Sequence, residues 1–378
     1  MDTRLTEDQH AIVDLARRFT AEEITPHAAR WDAEHICPRD TLRKAGELGF
    51  GAIYLPEADG GIGLSRVEAA LIMEAMAYGC PSTSAFVSIH NMAAWMIARF
   101  GSEDVRGRFL PRLVGMREMA SYCLTEPGSG SDAAALMTRA GRDGDHYVLN
   151  GTKAFISGAG DNEIYVCMVR TGDDGHRGIS CLVVEKDTPG VSFGTPERKM
   201  GWHSQATAMV IFDDARVPVE NLVGEEGQGF GIAMAGLDGG RLNIGACSLG
   251  GAQRCFDEAV SYVKERQQFG RSIGAFQNTQ FMLANMITEL EAARALLYKA
   301  AQKVSDDAAD KTQYAAMAKL KATEAGSRIA NDALQLHGGY GYLMDYPVER
   351  FVRDLRVHEI LEGTSQIMRM VIGRRILD

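Results

Sequence analysis

Hydrophobic and polar residues follow a helical period in the first part of the chain. Thr6 and Gln9 have the spacing of a capping box, and apolar residues then recur at positions 12, 15, 16 and 19. A charge-free stretch between Glu74 and Arg99 is long enough to span a bilayer, but Gly, Pro, Ser and Thr interrupt it at 79–84. We therefore predict two buried helices joined by a turn, within a helical domain over residues 1–119.

The period changes to that of β-strands between residues 120 and 222. Short runs rich in β-branched residues, bounded by Gly or Asp, stand at 164–169, 179–184 and 209–212. Asn150-Gly151 ends another apolar run and favours a two-residue hairpin turn of type I′. These signals predict a small antiparallel sheet or barrel and not βαβ units.

Helical spacing returns from residue 223 to the end of the chain. One apolar stripe there consists of Met286, Ile287, Leu290, Ala293 and Leu297. Helices, then strands, then helices predict an α+β fold, in which a β domain (120–222) stands between helical domains at 1–119 and 223–378.

Composition places the chain among ordinary globular proteins. Its 378 residues are 46% hydrophobic and 24% charged, which excludes a disordered chain. The net charge of −10 argues against a chain-wide surface for nucleic acid or for an anionic membrane. We therefore expect neither a nucleic-acid partner nor a membrane partner.

The cysteines and the N-terminus indicate the compartment. The seven cysteines are scattered and form no C-x-x-C pair, which excludes zinc-ribbon and ferredoxin spacings and predicts free thiols in a reducing environment. His90, His203 and His337 have no metal-type residue at i+3 or i+4, so we predict structural histidines and no metal site. The N-terminus has no apolar export signal, which predicts the cytoplasm, or the mitochondrial matrix if a transit peptide was removed.

The most distinctive stretch for chemistry runs over 122–132 and is Tyr-Cys-Leu-Thr-Glu-Pro-Gly-Ser-Gly-Ser-Asp. It supplies hydroxyl and backbone N–H groups, and its glycines let the backbone approach an anionic or planar ligand. It lacks the Gly-Lys-Ser/Thr of a P-loop and the G-x-G-x-x-G of a dinucleotide fold. Composition alone leaves a solvated loop as the simpler interpretation.

Glu362 is the candidate general base. It stands in Ile-Leu-Glu-Gly, and partial burial of a carboxylate raises its pKa towards that of a useful base. The nearby Arg350, Arg353 and Arg356 interleave with acidic residues and indicate a salt-bridged face. Spacing alone does not separate a base at position 362 from a glutamate of a surface loop.

Two signatures give the chain a resemblance to the acyl-CoA dehydrogenase family of flavoenzymes. One is the stretch over 122–132; the other is Gln-Leu-His-Gly-Gly-Tyr-Gly at 335–341, with Arg353-Asp354 beyond it. The similarity extends over essentially the whole chain. It implies an N-terminal helical domain, a middle β domain and a C-terminal four-helix bundle, with FAD as the cofactor and an acyl-CoA thioester as the substrate.

The same resemblance implies partners. Family members usually assemble as homotetramers and pass their electrons to electron-transfer flavoprotein. Since the sequence has no iron–sulfur or haem attachment motif, we expect another protein to accept the electrons.

Glu362 matches the family's catalytic base in the Glu-Gly-Thr signature. By resemblance it removes the α-proton of the thioester, and its backbone N–H, together with a ribityl hydroxyl of FAD, polarises the thioester carbonyl. A subset of the family carries the base just before the arginine of Leu-Asp-x-x-Arg. Here that position is Gly240, which cannot take a proton.

Other positions carry over from the family one by one. By resemblance the residues that contact FAD, some of them on a neighbouring subunit, are Tyr122, Cys123, Leu124, Thr125, Gly130, Ser131, Phe155, Ile156, Ser157, Arg266, Phe269, Phe276, Gln277, Gln335, Leu336, His337, Gly338, Gly339, Thr364, Ser365 and Gln366. Those expected to contact the CoA thioester are Ser131, Asp238, Gly239, Gly240, Arg241, Leu361 and Arg374. Many relatives have Trp where this chain has Phe155.

The acyl group is predicted from a further resemblance. Segments 88–92, 155–160, 178–181 and 356–358 resemble members that oxidise isobutyryl-CoA to methacrylyl-CoA in valine breakdown. Leu361 stands where straight-chain relatives carry Tyr, which opens space for the extra methyl group. One methyl group is worth only about 1–3 kcal/mol, so n-butyryl-CoA and 2-methylbutyryl-CoA are alternatives. An oxidase of the same fold and a flavin-bearing binding protein of low activity are remoter ones.

Overall fold

The N-terminal part of the chain is helical. The structure is a computed structural model that describes residues 5–173 and 175–377. The helices are α1 (Glu7–Phe19), α2 (Ala28–Glu34), α3 (Arg39–Glu47), α4 (Arg66–Ala77), α5 (Pro81–Phe100) and α6 (Glu103–Leu113). The predicted capping box is confirmed, since Thr6 Oγ1 accepts the N–H of Gln9 at 3.2 Å and Gln9 Oε1 accepts the N–H of Thr6 at 3.1 Å.

The charge-free stretch folds as predicted, into two buried helices joined by a turn. Ser65 caps α4 by accepting the N–H of Val67 at 3.0 Å. Helix α5 begins with Pro81, and the first residue of a helix needs no N–H group because that group has no acceptor within the helix. In the part of the chain that the structure describes, no helix is long and apolar enough to cross a membrane.

The middle part forms one sheet. Its strands are β1 (Ala120–Cys123), β2 (Arg139–Asp143), β3 (His146–Ser157), β4 (Ile164–Arg170), β5 (Ile179–Glu185), β6 (Val191–Phe193), β7 (Thr207–Pro218) and β8 (Leu222–Val223). The order is β6-β7-β3-β2-β4-β5-β8, with β1 paired to β4. Most neighbours are antiparallel, as predicted. However, β1 lies parallel to β4, with Cys123 opposite Cys167, and β2 meets β4 in parallel at one residue pair. Two strands lie between β1 and β4 in the chain, so no hairpin imposes an antiparallel arrangement on them.

The prediction of a hairpin turn at Asn150-Gly151 is wrong. Both residues lie inside β3, and the register of β3 with β7 shifts between Leu149 and Gly151, which marks a β-bulge. Gly151 has a φ of +149°, and Thr138 packs where its side chain would stand. The turn between β2 and β3 lies instead at Gly144, whose φ is +64°.

The C-terminal part is helical again. It contains α7 (Gly229–Glu265), a hairpin of β9 (Gln267–Gln268) and β10 (Arg271–Ser272), α8 (Gln277–Ser305), α9 (Lys311–His337), α10 (Val348–Arg356) and α11 (Ser365–Leu377). The predicted stripe faces the core: Met286, Leu290, Ala293 and Leu297 are buried and Ile287 is partly buried. Helix α7 packs against α4, α5, α8 and α9, so it runs through the centre of the helical part. The turn between α10 and α11 carries Glu362 back onto α7.

Candidate active site

Two adjacent glycines on α7 create the space for the candidate base. A Cβ atom on Gly240 would overlap Oε2 of Glu362, and a Cβ atom on Gly239 would overlap the guanidinium group of Arg66. Only glycine therefore allows both side chains to approach the helix this closely. In this arrangement position 240 cannot hold a carboxylate of its own.

Glu362 lies in a turn of unusual backbone conformation. Its φ is +52°, in the left-handed region that glutamate rarely adopts, and Gly363 after it has a φ of +93°. The turn follows a 3₁₀ segment (Val357–Glu359) and precedes α11. Leu361 is partly buried and packs against the main core. Such strain persists where the surroundings hold it, and it is frequent at functional sites.

The carboxylate of Glu362 is buried without a hydrogen-bond partner. Among the described residues, neither Oε1 nor Oε2 has one, and both atoms are inaccessible to solvent. Burial raises the pKa of Glu362 to about 7, while the positive charges of Lys319 and Arg241 act in the opposite direction. A carboxylate with a pKa near neutrality and two uncommitted oxygens is suited to accept a proton.

Arg241 links Glu362 to a large cavity. Its Nη1 lies 2.9 Å from Oδ1 of Asp238, and Oδ2 of Asp238 accepts the hydroxyl of Thr312 at 2.6 Å. Its Nε lies 3.5 Å from the main-chain oxygen of Glu362. Asp238, Arg241 and Thr312 line a cavity of about 680 Å³, a size that suits an extended organic ligand.

Arg66 is a charged residue of this cavity that the sequence analysis missed. Its guanidinium carbon lies 3.5 Å from the centre of the Tyr54 ring and 5.0 Å from that of Trp95. Burial lowers the pKa of Arg66, and its neighbours Tyr54 and Asp238 counteract this effect. The only sequence signal was a basic residue at the start of a mostly apolar helix, which is also common at helix surfaces.

Glu126 fixes the glycine-rich loop that follows β1. Its carboxylate accepts the N–H groups of Met137 and Thr138 at 2.6 and 2.9 Å, and it lies 2.7 Å from Nζ of the fully buried Lys153 on β3. Burial lowers the pKa of Lys153; the pKa of Glu126 is lowered by Lys153 although burial opposes this. The sequence alone indicates no role for either residue, because only their pairing across 27 residues shows it.

The two segments predicted to contact the flavin ring lie side by side. The N–H of Ala154 donates to the carbonyl of Thr125 at 2.8 Å, and the hydroxyl of Ser121 donates to the carbonyl of Ser157 at 2.7 Å. Phe155 is 67% exposed, with a φ of +57°. Of the other predicted residues, Cys123, Leu124 and Ile156 are buried, Tyr122 is partly buried, and Gly130 and Ser131 are exposed.

These residues fit an FAD molecule. The hydroxyl groups of Tyr122 and Ser365 are buried and have no partner among the described residues. Ser365 begins α11 and lies between Thr364 and the exposed Gln366, and a helix N-terminus favours an anionic group such as a phosphate. A ligand with a planar ring near Tyr122 and phosphates at the start of α11 therefore matches both groups of residues.

A second pocket collects the residues predicted to reach the cofactor of a neighbouring subunit. This pocket of about 440 Å³ shares no lining residue with the larger cavity, and its predicted members are Arg266, Gln335, Leu336, His337, Gly338 and Gly339. The rings of Phe269 and Phe276 lie edge to face, 6.1 Å apart, and Phe269 is 93% exposed. Gln277 is exposed at the start of α8. Tyr340 and Leu343, which line the pocket, are also exposed, and exposed apolar residues grouped in this way are typical of a surface that another protein chain covers.

Arg374, predicted by resemblance to contact CoA, does not line the large cavity that Asp238 and Arg241 line. Arg374 lies exposed in the last turn of α11, and the lining of the large cavity includes Arg375 instead. A shift of one position turns a helical side chain by about 100°, which sequence similarity near a chain end does not resolve.

The histidines singled out from the sequence have structural partners, as predicted. His90 is fully buried between the carbonyl of Leu113 and the N–H of Ala120, each 3.0 Å away, and burial lowers its pKa to about 4. Ring nitrogens of His203 and His337 lie 2.8 Å from backbone carbonyl oxygens. The described residues hold no cluster of metal-ligating side chains.

Comparison with known proteins identifies the class. Models of the acyl-CoA dehydrogenase N-terminal, middle and C-terminal domains match residues 6–117, 121–215 and 227–377. The chain belongs to the acyl-CoA dehydrogenase family, which makes it an FAD-dependent oxidoreductase that acts on acyl-CoA thioesters. The predicted fold class is thereby confirmed.

Individual relatives show which members of the family this chain resembles. The chain is 56% identical over 373 residues to the mitochondrial isobutyryl-CoA dehydrogenase of Dictyostelium discoideum, covering 98% of this chain and 90% of the relative. Butyryl-CoA dehydrogenase from Megasphaera elsdenii superposes with a TM-score of 0.97 at 37% identity, over the whole of both chains. A chain from a structure described as the electron transferring flavoprotein of Acidaminococcus fermentans superposes equally well, at 0.97 and 42% identity, again over the whole of both chains.

Proposed function

We propose that this enzyme oxidises isobutyryl-CoA to methacrylyl-CoA, a step of valine breakdown, with Glu362 as the catalytic base. The observation that carries the proposal is the state of the Glu362 carboxylate, which is buried, has no hydrogen-bond partner among the described residues and lies against Gly240. Burial raises the pKa of Glu362 to about 7, so the group exchanges a proton near physiological pH.

The reaction removes one hydrogen from each of two adjacent carbons. Glu362 takes the α-hydrogen as a proton, and the electron pair of that bond forms the Cα–Cβ double bond while the β-hydrogen leaves with its own pair. Bound FAD supplies the acceptor for that hydride. The α-hydrogen of a thioester is only weakly acidic, so the developing enolate oxygen also needs a hydrogen-bond donor.

The backbone N–H of Glu362 is the proposed donor. It makes no bond to a backbone carbonyl within the described part of the chain, so it is available to the thioester oxygen. Glu362 would thus serve the same substrate through its N–H and through its side chain. Asp238 and Arg241, which line the large cavity, are proposed to hold the CoA portion.

FAD is proposed to lie across three of the segments described above. Its ring would contact the Tyr122–Ser131 loop and Phe155–Ser157, and its phosphates would contact Thr364–Gln366 at the start of α11. The Glu126–Lys153 ion pair would keep the loop in place by tying it to β3. Ser131 would also reach the CoA thioester.

The branched acyl group is the finer part of the proposal. A relative named isobutyryl-CoA dehydrogenase is 56% identical, and Leu361 supplies a smaller side chain beside the α-carbon than the tyrosine of straight-chain relatives. A solved butyryl-CoA dehydrogenase has the same fold at 37% identity, so n-butyryl-CoA is the main alternative and 2-methylbutyryl-CoA a second one.

Two partners complete the proposal. A homotetramer would cover the exposed apolar residues near the second pocket, which are Phe269, Tyr340, Tyr342, Leu343 and Met344. Electron-transfer flavoprotein would accept the electrons, in keeping with the 42% identical chain from a structure described as an electron transferring flavoprotein. Reaction with O₂ would instead make the enzyme an oxidase.

An anaerobic reduction experiment tests the proposed substrate. The purified holoenzyme is mixed with isobutyryl-CoA or with n-butyryl-CoA, and the loss of flavin absorbance is followed over time. We expect isobutyryl-CoA to reduce the flavin faster, by about 10-fold or more, as one methyl group in an apolar pocket allows. Faster reduction by n-butyryl-CoA would overturn the branched-chain assignment. O₂ consumption during turnover would identify an oxidase.

A further inference from the structure

Lys319 is a fully buried lysine that the chemistry above does not use. It lies on α9, and the buried residues around it on that helix are small, namely Ala315, Ala316, Ala318 and Ala322. Its Nζ donates to the carbonyl of Gly363 at 2.8 Å. A buried ammonium group is costly, so a lysine in such a place indicates a specific partner or function.

The hydrogen bond of Lys319 holds the turn that presents Glu362. The acceptor is the main-chain oxygen of Gly363, the residue directly after Glu362, and both residues have positive φ. Residues in this backbone conformation need external support to keep it. Lys319 reaches the turn from a helix 43 residues earlier in the chain, so the turn is anchored to the bundle and not only to α10 and α11.

Lys319 also supplies the positive charge that acts most strongly on the Glu362 carboxylate. Of the two cations that lower the pKa of Glu362, Lys319 has the larger effect and Arg241 the smaller one. Arg241 is already paired with Asp238 at 2.9 Å. The ammonium of Lys319 forms no ion pair among the described residues, so its charge is not cancelled at contact distance.

Most of the other groups that face this pair stay neutral. Tyr54, Tyr122 on β1 and Cys247 on α7 face Glu362, and burial raises the pKa of each of them. His358 faces Lys319, and burial lowers its pKa to about 3, so it is uncharged. Glu359 and Glu324 also act on Lys319, although burial lowers its pKa to about 8 in spite of them.

We propose that Lys319 is a positioning residue for Glu362: its ammonium group fixes the turn that carries the carboxylate and provides the charge that keeps the carboxylate ionised. This inference rests on the proposed function, in which Glu362 is the base. Lys319 touches neither the substrate nor the reacting atoms; it acts through the Gly363 carbonyl and through its electric field.

A charge-removing substitution tests the proposal. The rate of flavin reduction by isobutyryl-CoA is measured against pH for wild type, Lys319→Met and Lys319→Arg. Removal of the charge should move the midpoint of the pH profile to higher pH by about 1–3 units, the usual size of an opposite-charge effect. Lys319→Arg should keep the midpoint near that of wild type, because the charge remains. A purely structural lysine would lower the rate at every pH without moving the midpoint.

Lys199→Met is the matched control. Lys199 is another largely buried lysine whose Nζ donates to a backbone carbonyl, that of Gln205 at 2.6 Å, and burial lowers its pKa to about 8 as well. We expect its pH profile to match that of wild type. A Lys319→Met profile with an unshifted midpoint would overturn the proposal.

A second readout is independent of turnover. The carboxyl stretching band of Glu362, assigned by its loss in Glu362→Gln, is titrated by infrared difference spectroscopy in wild type and in Lys319→Met holoenzymes. The band should titrate at higher pH in the variant. If acyl-CoA thioesters fail to reduce the wild-type flavin, the proposed function fails, while the infrared titration still decides whether Lys319 controls Glu362. An unchanged titration overturns the inference alone.

Discussion

The carboxylate of Glu362 occupies the space in which a side chain on Gly240 would stand. A Cβ atom on Gly240 would overlap Oε2, although the two residues lie 122 positions apart. By resemblance to the family, this contact joins the two positions, 240 and 362, at which a catalytic base is expected. A side chain at position 240 would therefore displace the Glu362 carboxylate from its present place.

Substitution of Gly240 by alanine should displace the base. The added methyl group forces the Glu362 side chain away from α7, so flavin reduction by isobutyryl-CoA should slow by about 10-fold or more while FAD stays bound, because misplacement by 1 Å can cost 10²-fold. Gly231→Ala on the same helix is the control, since nothing lies within 4 Å of a Cβ there. Equal reduction rates in the two variants would show that the contact is irrelevant.

The raised pKa of Glu362 predicts how stability depends on pH. The folded protein holds this proton up to a pKa of about 7, against an ordinary value of 4.5, so it binds more protons than the unfolded chain between these values. The free energy of unfolding should therefore fall, through this group, as pH rises across that window. Glu362→Gln should gain stability over wild type at the alkaline end and not at the acid end. Urea unfolding at both ends, with Glu359→Gln as the control, measures this; a gain that is equal at both ends would contradict it.

The Glu126–Lys153 ion pair should stabilise the glycine-rich loop that follows β1 and thereby the binding of FAD. Lys153→Met leaves the buried Glu126 carboxylate without its cation, which typically lowers the free energy of unfolding by about 3–5 kcal/mol. Glu126→Gln leaves the buried Lys153 ammonium group without its anion. Both variants should unfold at lower urea concentration and lose FAD more readily than wild type. The double variant Glu126→Gln/Lys153→Met removes both charges and should recover part of the loss. A double variant that is no better than the worse single one would argue against an ion-pair explanation.

Leu361 should set the preference between branched and straight acyl chains. Leu361→Tyr adds a ring beside the predicted position of the α-methyl group, so the ratio of kcat/KM for isobutyryl-CoA to that for n-butyryl-CoA should fall by about 10–200-fold. Leu361→Met keeps the apolar character and nearly the volume, and should leave the ratio nearly unchanged. If the tyrosine variant keeps the wild-type ratio, the acyl preference is determined elsewhere.

Much of the fold could be predicted from local patterns. The Thr6–Gln9 capping box and the stripe on α8 are features of one helix each, and periodicity predicts both. Asn150-Gly151 shows the limit of this reasoning. The dipeptide favours positive φ, which serves a β-bulge as well as a turn, and only the register of β3 with β7 distinguishes the two.

Residues of the candidate site could be predicted where they belong to a sequence signature. They could not be predicted where they depend on contacts between residues far apart in the chain. Glu362 stands in a recognisable motif, but its support by Lys319 crosses 43 residues, and the contact of Arg66 with Gly239 joins two helices. The sequence does contain one signal of this support: a lysine at position 319 interrupts a face of small buried alanines on α9. Such a break in an apolar face marks a buried charge with a partner elsewhere.

The most direct test of the account is the rate at which isobutyryl-CoA reduces the flavin of Glu362→Gln under anaerobic conditions. The amide is nearly isosteric with the carboxylate and accepts no proton, so FAD content should stay normal while reduction slows by at least about 10²–10⁴-fold, the contribution of a general base. Glu359→Gln, three residues earlier in the chain, should behave as wild type. Near-normal reduction in Glu362→Gln would contradict the assignment of Glu362 as the base.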